Sequence, residues 1–184
     1  KTMVQDCLDA DSQFGVVLIK SGPEVGGSAK PHSVGTIARI ARVSRLDDGR
    51  MILNVTGQDR FQVRELFDDL PYTAAQVELL DEDLGPELST QEMDSITEAA
   101  NRHIRLLLGL RGGWVSNPKV PDDPVTLSYY IAPVLQAPLS RKQVLLEEPT
   151  ASGRLAEEHR LLQQEAVSLD RRMRRDFRRR FGRQ

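Results

Sequence analysis

Apolar residues recur at two different periods along the chain, and the change of period divides it. At the front, Val4, Cys7 and Leu8 are spaced as on a helix. "DSQFG" ends that helix ahead of the short apolar run Val16 to Ile19, which reads as a buried strand. "SGPEVGGSAKPHSVG", rich in Gly, Ser and Pro, follows as a surface loop. "VGTIARIARVSRL" then reads as a long strand whose alternation slips. Ile37, Ala41 and Val43 share one parity while Ala38 and Ile40 take the other, which marks a bulge or a strand packed on both faces. Asp48-Gly49 predicts a type I′ hairpin turn, whose two central positions need positive φ. Met51, Leu53 and Val55 alternate with polar neighbours, "TGQDR" reads as a second turn, and Phe61 with Val63 begins another strand. Ala75, Val77 and Leu79 continue at period two. The expectation is at least five strands in an antiparallel sheet that curls into a barrel. Met51, Leu53, Val55, Phe61 and Val63 would line its inside, with Arg45, Arg50, Arg60 and Arg64 on the wet side.

From Asp81 the period becomes helical. "DEDLGPELSTQEMDS" is an acidic linker that ends in a capping box, Ser89 with Glu92 three residues on. The helix it opens carries Met93, Ile96, Ala100, Ile104 and Leu107 in one stripe. Asp123 as N-cap and Pro124 in the first turn start a second helix, which Pro133 should kink or end. Ser140 with Gln143 predicts a cap for a short third helix. A long last helix from about Ser152 aligns Leu155, His159, Leu162, Ala166, Leu169, Met173 and Phe177. The fold expected is α+β: a β-rich subdomain over residues 1–83, then a helical bundle over residues 84–184.

Composition adds three constraints. The chain has 184 residues, 28% of them charged, with a net charge of only −2. Between Arg171 and Arg183, however, eight arginines face the single Asp176, so the body is acidic and the end basic. One cysteine excludes an intrachain disulfide, and no apolar run approaches the ~20 residues that span a bilayer. A cytoplasmic protein with no membrane contact is expected.

Candidate chemistry is sparse. His32, His103 and His159 are too scattered for a short ligand spacing, so no metal is expected. Cys7, between Val4 and Leu8 on a helix face, reads as a small buried apolar residue rather than a nucleophile. Ser140 beside Lys142 is explained by capping, and the carboxylates of "DEDLGPE" by a linker between modules. No phosphate-binding G-x-x-x-x-G-K-[ST] motif occurs. Neither an enzyme nor a cofactor is expected.

"FGVVLI", "EVGG", "VGTIARIARVSRLDDGRMILNVTGQDRFQVREL", "PYTAAQVELLDED" and "DDPVTLSYYIAPVLQAPLSRKQVLLE" occur in this order. Together they resemble the N-terminal domain of the ATP-dependent Lon protease family, which also occurs as a stand-alone bacterial protein. The resemblance covers roughly residues 1 to 165 and implies a PUA-like β-barrel followed by a helical bundle. That family opens with an apolar strand containing a Phe-Pro pair, and this chain begins after it, which implies a barrel short of its first strand. The resemblance also implies a non-catalytic domain that engages unfolded polypeptides or partner proteins, since the ATPase motif and the Ser-Lys protease module are absent. Nucleic-acid binding through the basic last helix is the second reading. The acidic body and a content of only 5% aromatic residues oppose it.

Candidate contacts with polypeptide fall in the Gly22 to Ser33 loop at Val25, Gly26 and Gly27, and at Trp114 in the loop after the first long helix. There the indole reads either as a contact or, the favoured reading, as a plug between modules. Leu169, Met173 and Phe177 on the last helix are candidate contacts for partners or for self-association.

Overall fold

The computed structural model describes residues 1–23, 29–113 and 118–181. The side chains of residues 176, 177, 179, 180 and 181 also fall outside that description. The chain divides into two compact units, Lys1–Asp81 and Glu82–Gln184. The division lies two residues before the boundary read from sequence. Glu82 forms an ion pair with Arg154, and Asp83 bridges Thr150, so both residues belong with the helices.

The first unit opens with α1 (Thr2–Asp9), which buries Val4. Ser12, at φ 61, turns the chain into β1 (Gln13–Ser21). Three more strands follow: β2 (Lys30–Arg45), β3 (Met51–Phe67) and β4 (Ala74–Leu80). All pairs are antiparallel and the order is β1-β2-β3-β4, so β1 and β4 each pair on one side only among the described strands.

There are four described strands rather than five. "TGQDR" is not a turn, because β3 runs through it. The apolar positions 51, 53, 55, 61 and 63 keep one parity throughout, which is the signature of a single strand. The slip of alternation in β2 is a real irregularity: the β2–β3 register shifts between Thr36 and Ala38 and again between Ile40 and Arg42.

The β2–β3 connection is not type I′. Gly49 takes φ 77, but among the described residues Ser12 is the only non-glycine with positive φ, so Asp48 does not adopt the required conformation. The Gly49 N–H donates to the Leu46 carbonyl at 2.9 Å, and the Leu46 N–H donates to the Arg50 carbonyl at 2.9 Å. That is a type I turn closed by a glycine bulge.

Val34, Ala38, Ile40 and Phe61 form the buried apolar part of the sheet. Three expectations fail here. Val16 is half exposed on edge strand β1, and Val55 is exposed on β3. Arg60, expected on the wet side, is instead buried.

The second unit contains α2 (Thr90–Leu110), α3 (Pro124–Val134), α4 (Leu139–Glu147) and α5 (Ala151–Phe181). The Ser89–Glu92 capping box forms as expected: the Glu92 N–H donates to Ser89 Oγ at 3.3 Å, and the Ser89 N–H donates to Glu92 Oε2 at 2.8 Å. Asp123 caps α3, accepting from the Thr126 N–H at 2.8 Å. Ser140 does not cap α4. Pro138 is the N-cap, with no side-chain cap bond, and Ser140 lies inside the helix.

Ile96 and Ala100 of α2, Leu127 and Ile131 of α3, Leu145 of α4, and Leu155 and Leu162 of α5 make one core. The inward stripe of α2 is Ile96, Ala100, His103 and Leu106, rotated from the predicted one so that His103 faces the interior. The architecture is therefore α+β, the described residues forming a four-stranded antiparallel sheet and five helices, the last of them long.

Candidate functional site

Across the sheet of the first unit runs a row of paired positions. Val17 faces Gly35, Gly35 faces Phe61, and Phe61 faces Leu79, so their side chains share one face. Gly35 is a glycine for steric reasons: a Cβ there would lie 2.6 Å from Phe61 Cζ and 2.6 Å from the Val16 carbonyl oxygen, and against Val17 Cγ1. The Phe61 ring thus closes over the centre of the row. Toward β4 the cover thins. Val77, opposite Val63, is 36% exposed and Leu79 is 58% exposed. An edge strand with accessible backbone and accessible apolar side chains is a template for another extended chain.

In the second unit, α2 and α5 run in the same direction, since Ser95, Arg102 and Gly109 meet His159, Asp170 and Met173 in order. Between them lies a groove of about 530 Å³. Ala99, Leu162, Ala166 and Val167 supply its apolar lining. Ser95 Oγ and Gln163 Nε2 hydrogen-bond His159 Nε2, at 3.4 and 3.0 Å. Further along, Arg102 pairs with Asp170 at 3.2 Å, and Arg171 and Arg174 stand on the α5 wall.

Beneath the surface of the same unit lies a charged cluster. Arg154, 2% exposed, donates to Glu82 Oε2 at 2.7 Å, to Ser128 Oγ at 3.1 Å and to the Glu148 carbonyl at 3.2 Å. Its guanidinium lies 4.8 Å from the centre of the Tyr129 ring, and the Tyr129 hydroxyl donates to Glu82 Oε1. Glu158 is fully buried, and among the described residues neither of its oxygens has a hydrogen-bond partner. Burial pushes its carboxyl up to about 9, with the Arg154 guanidinium acting in the opposite direction. His103 is buried too. Its Nε2 lies 3.2 Å from the Val134 carbonyl, and Glu165, 3.4 Å away, also accepts from the Gln136 N–H at 2.9 Å.

Val25, Gly26, Gly27 and Trp114 lie outside the described residues, as does the side chain of Phe177. Met173 is brought against α2 as packing, and Leu169 is buried. Leu169 is 1% exposed, and Met173 Cε sits where a Cβ on Gly109 would be, 2.6 Å from it. Leu169 therefore offers a partner nothing as the helix stands; the exposed apolar residue beside the groove is Val167. Sequence periodicity alone could not have found the groove, because which polar residues of α2 face α5 depends on helix pairing.

Burial raises the Cys7 thiol, and the Asp11 and Asp6 carboxylates raise it further, which is the reverse of what an activated nucleophile needs. Among the described residues no three His, Cys, Asp or Glu side chains come together as a metal site, and no helix is long and apolar enough to cross a membrane.

Residues 1–164 match the substrate-binding domain of the ATP-dependent protease La (LON). The chain belongs to this family. It is 27% identical over 156 residues to Lon protease 2 of Myxococcus xanthus, covering 83% of this chain and 19% of that protein. It is 31% identical over 144 residues to the Lon protease of Desulfovibrio desulfuricans, covering 73% of this chain and 16% of that one. The chain thus spans only a minor part of the length of these relatives.

Among solved structures, the Lon N-terminal domain protein from Xanthomonas campestris superposes with a TM-score of 0.62 at 25% identity, over 85% of this chain and 79% of that one. The N-terminal domain of the Mycobacterium avium complex Lon protease gives 0.56 at 20% identity, over 87% and 82%, a likeness of fold.

Proposed function

We propose that this chain is a non-catalytic module that captures exposed or unfolded polypeptide, with the β4 side of the sheet as its main contact. The observation that carries the reading is the apolar row ending in half-open Val77 and Leu79 on an edge strand. Backbone groups on such an edge pair with any extended chain, and alternate apolar side chains select for segments that a folded protein would bury. Membership of a substrate-binding family supports the same reading.

The test is titration with one labelled protein in two forms, native and permanently unfolded by reduction and carboxymethylation. The unfolded form should bind and the native form should not. Val77→Lys with Leu79→Lys should weaken binding by roughly tenfold or more while leaving the fold intact. Equal binding of both forms, or no binding of the unfolded one at tens of micromolar, would remove the reading. On the same account the chain has no turnover of ATP or casein above a mock preparation.

A further inference from the structure

We propose that the groove between α2 and α5 takes an acidic, amphipathic polypeptide segment, its apolar side chains on the groove floor and its carboxylates along α5. The inference rests on the polypeptide-binding reading and adds the chemistry that one site selects.

Two features of the groove act together. The floor is apolar, with half-buried Ala99 and Ala166 over the core residue Leu162, and Val167 stands 55% exposed at its edge. One turn further on, Arg171, Arg174, Arg175 and Arg178 recur at i, i+3, i+4 and i+7, all exposed, so they form a single stripe about 10 Å long.

The carboxylates at the groove do not cancel this stripe. Asp170 is engaged by Arg102, and Glu98 lies on the α2 wall. None of the four stripe arginines is paired with a carboxylate among the described residues. Positive charge is therefore concentrated on α5 and continues beyond the apolar floor. From His159 to Arg174 the α5 wall is about 22 Å long, room for four turns of helix or some seven extended residues.

The combination selects the occupant. A nucleic acid would satisfy the arginines but cover Val167 and Ala166 with sugar and phosphate. Among the described residues the groove lining holds no Phe, Tyr or Trp for a base to stack on, its one imidazole, His159, being held by Ser95 and Gln163. A purely apolar segment would fill the floor and leave the stripe unmatched. A segment with apolar residues on one face and carboxylates on the other meets both, and charge complementarity sets its direction and register.

Fluorescence anisotropy of the full chain with a labelled acidic amphipathic peptide tests this. The probe has about 18 residues, with Leu and Ala at helical spacing and Glu elsewhere. Its lysine counterpart and an oligothymidylate of roughly 20 nucleotides serve as competitors. The acidic peptide should bind. Val167→Asp and the pair Arg171→Glu with Arg174→Glu should each weaken it roughly tenfold or more at unchanged helix content, and added salt should weaken it too. The lysine peptide should not compete.

Affinity that neither change alters, no binding at all, or displacement by the oligonucleotide but not by unlabelled peptide would overturn the inference. Self-association of the wild-type chain that the arginine changes abolish would overturn it as well, since the occupant would then be a second copy. The reduced, carboxymethylated protein separates the two claims. If it binds wild type and both groove variants alike while the acidic peptide fails, polypeptide capture stands and the groove assignment falls. If it binds none of them while the peptide result holds, the reverse is true.

Discussion

Glu158 lies one helical turn beyond Arg154 on α5, yet the two do not pair. Arg154 directs its donors to Glu82, Ser128 and the Glu148 carbonyl, and Glu158 is left fully buried with both oxygens unpartnered among the described residues. Ionising a carboxyl in that position carries the full desolvation cost, so the folded unit keeps it protonated.

A pH dependence follows from this. The Glu158 carboxyl is held at about 9 when folded against 4.5 ordinarily, so between those values the folded chain carries a proton that the unfolded chain has released. Stability of the helical unit should fall by up to about 1.4 kcal/mol per pH unit as pH rises through that window, and level off above it. Glu158→Gln keeps the shape and cannot ionise. At pH 7 it should be more stable than wild type by about 3 kcal/mol, with the difference vanishing near pH 4. Urea unfolding followed by helical circular dichroism at several pH values measures this, and parallel profiles for the two proteins would contradict it.

Removing the partner of Arg154 should also be felt. Glu82→Ala leaves a 2%-exposed guanidinium without its carboxylate and takes the acceptor from the Tyr129 hydroxyl. Fully buried pairs cost ~3–5 kcal/mol when broken. Because the Glu82 side chain is 33% exposed, water compensates in part, and a loss of about 2 kcal/mol is expected. Urea midpoints for wild type and variant at a common pH check the value. A change under about 0.5 kcal/mol would mean that the cluster relaxes.

Gly35→Ala tests the sheet row. The added methyl meets Phe61 Cζ and the Val16 carbonyl at 2.6 Å, and the carbonyl is backbone that cannot step aside. A loss of about 2 kcal/mol or more from the β unit is expected. Gly57→Ala is the control, since its Cβ would find only Thr36 Cγ2, at an ordinary 3.5 Å. Thermal melts of the two variants should separate them.

How much of this was legible in the sequence varies with the range of the interaction. Two of the three caps read correctly, since Ser89 with Glu92 and Asp123 with Pro124 act within one turn. The third, Ser140 with Gln143, failed because α4 begins after Pro138 and takes Ser140 inside it. The family resemblance rested on several ordered segments, and the match over residues 1–164 agrees with it.

Features decided by packing across elements were not legible. Arg60 looked like a solvent-facing strand residue because its neighbours alternate, but strand pairing brings Thr36 opposite it and the site is covered. A local signal also misled: Asp48-Gly49 satisfies two turn types, and the hydrogen bonds of Leu46 within the turn itself choose the type I form. Leu169 belongs to the apolar stripe of α5, but a stripe does not say whether α2 or a partner covers it. Val167, off the stripe, is the exposed one.

Amide hydrogen exchange on the chain with and without the reduced, carboxymethylated protein tests polypeptide capture most directly. The account predicts slowed exchange in β4, Ala74–Leu80, when the unfolded protein is present, and none when its native form is added. Binding that leaves β4 exchange unchanged would contradict it.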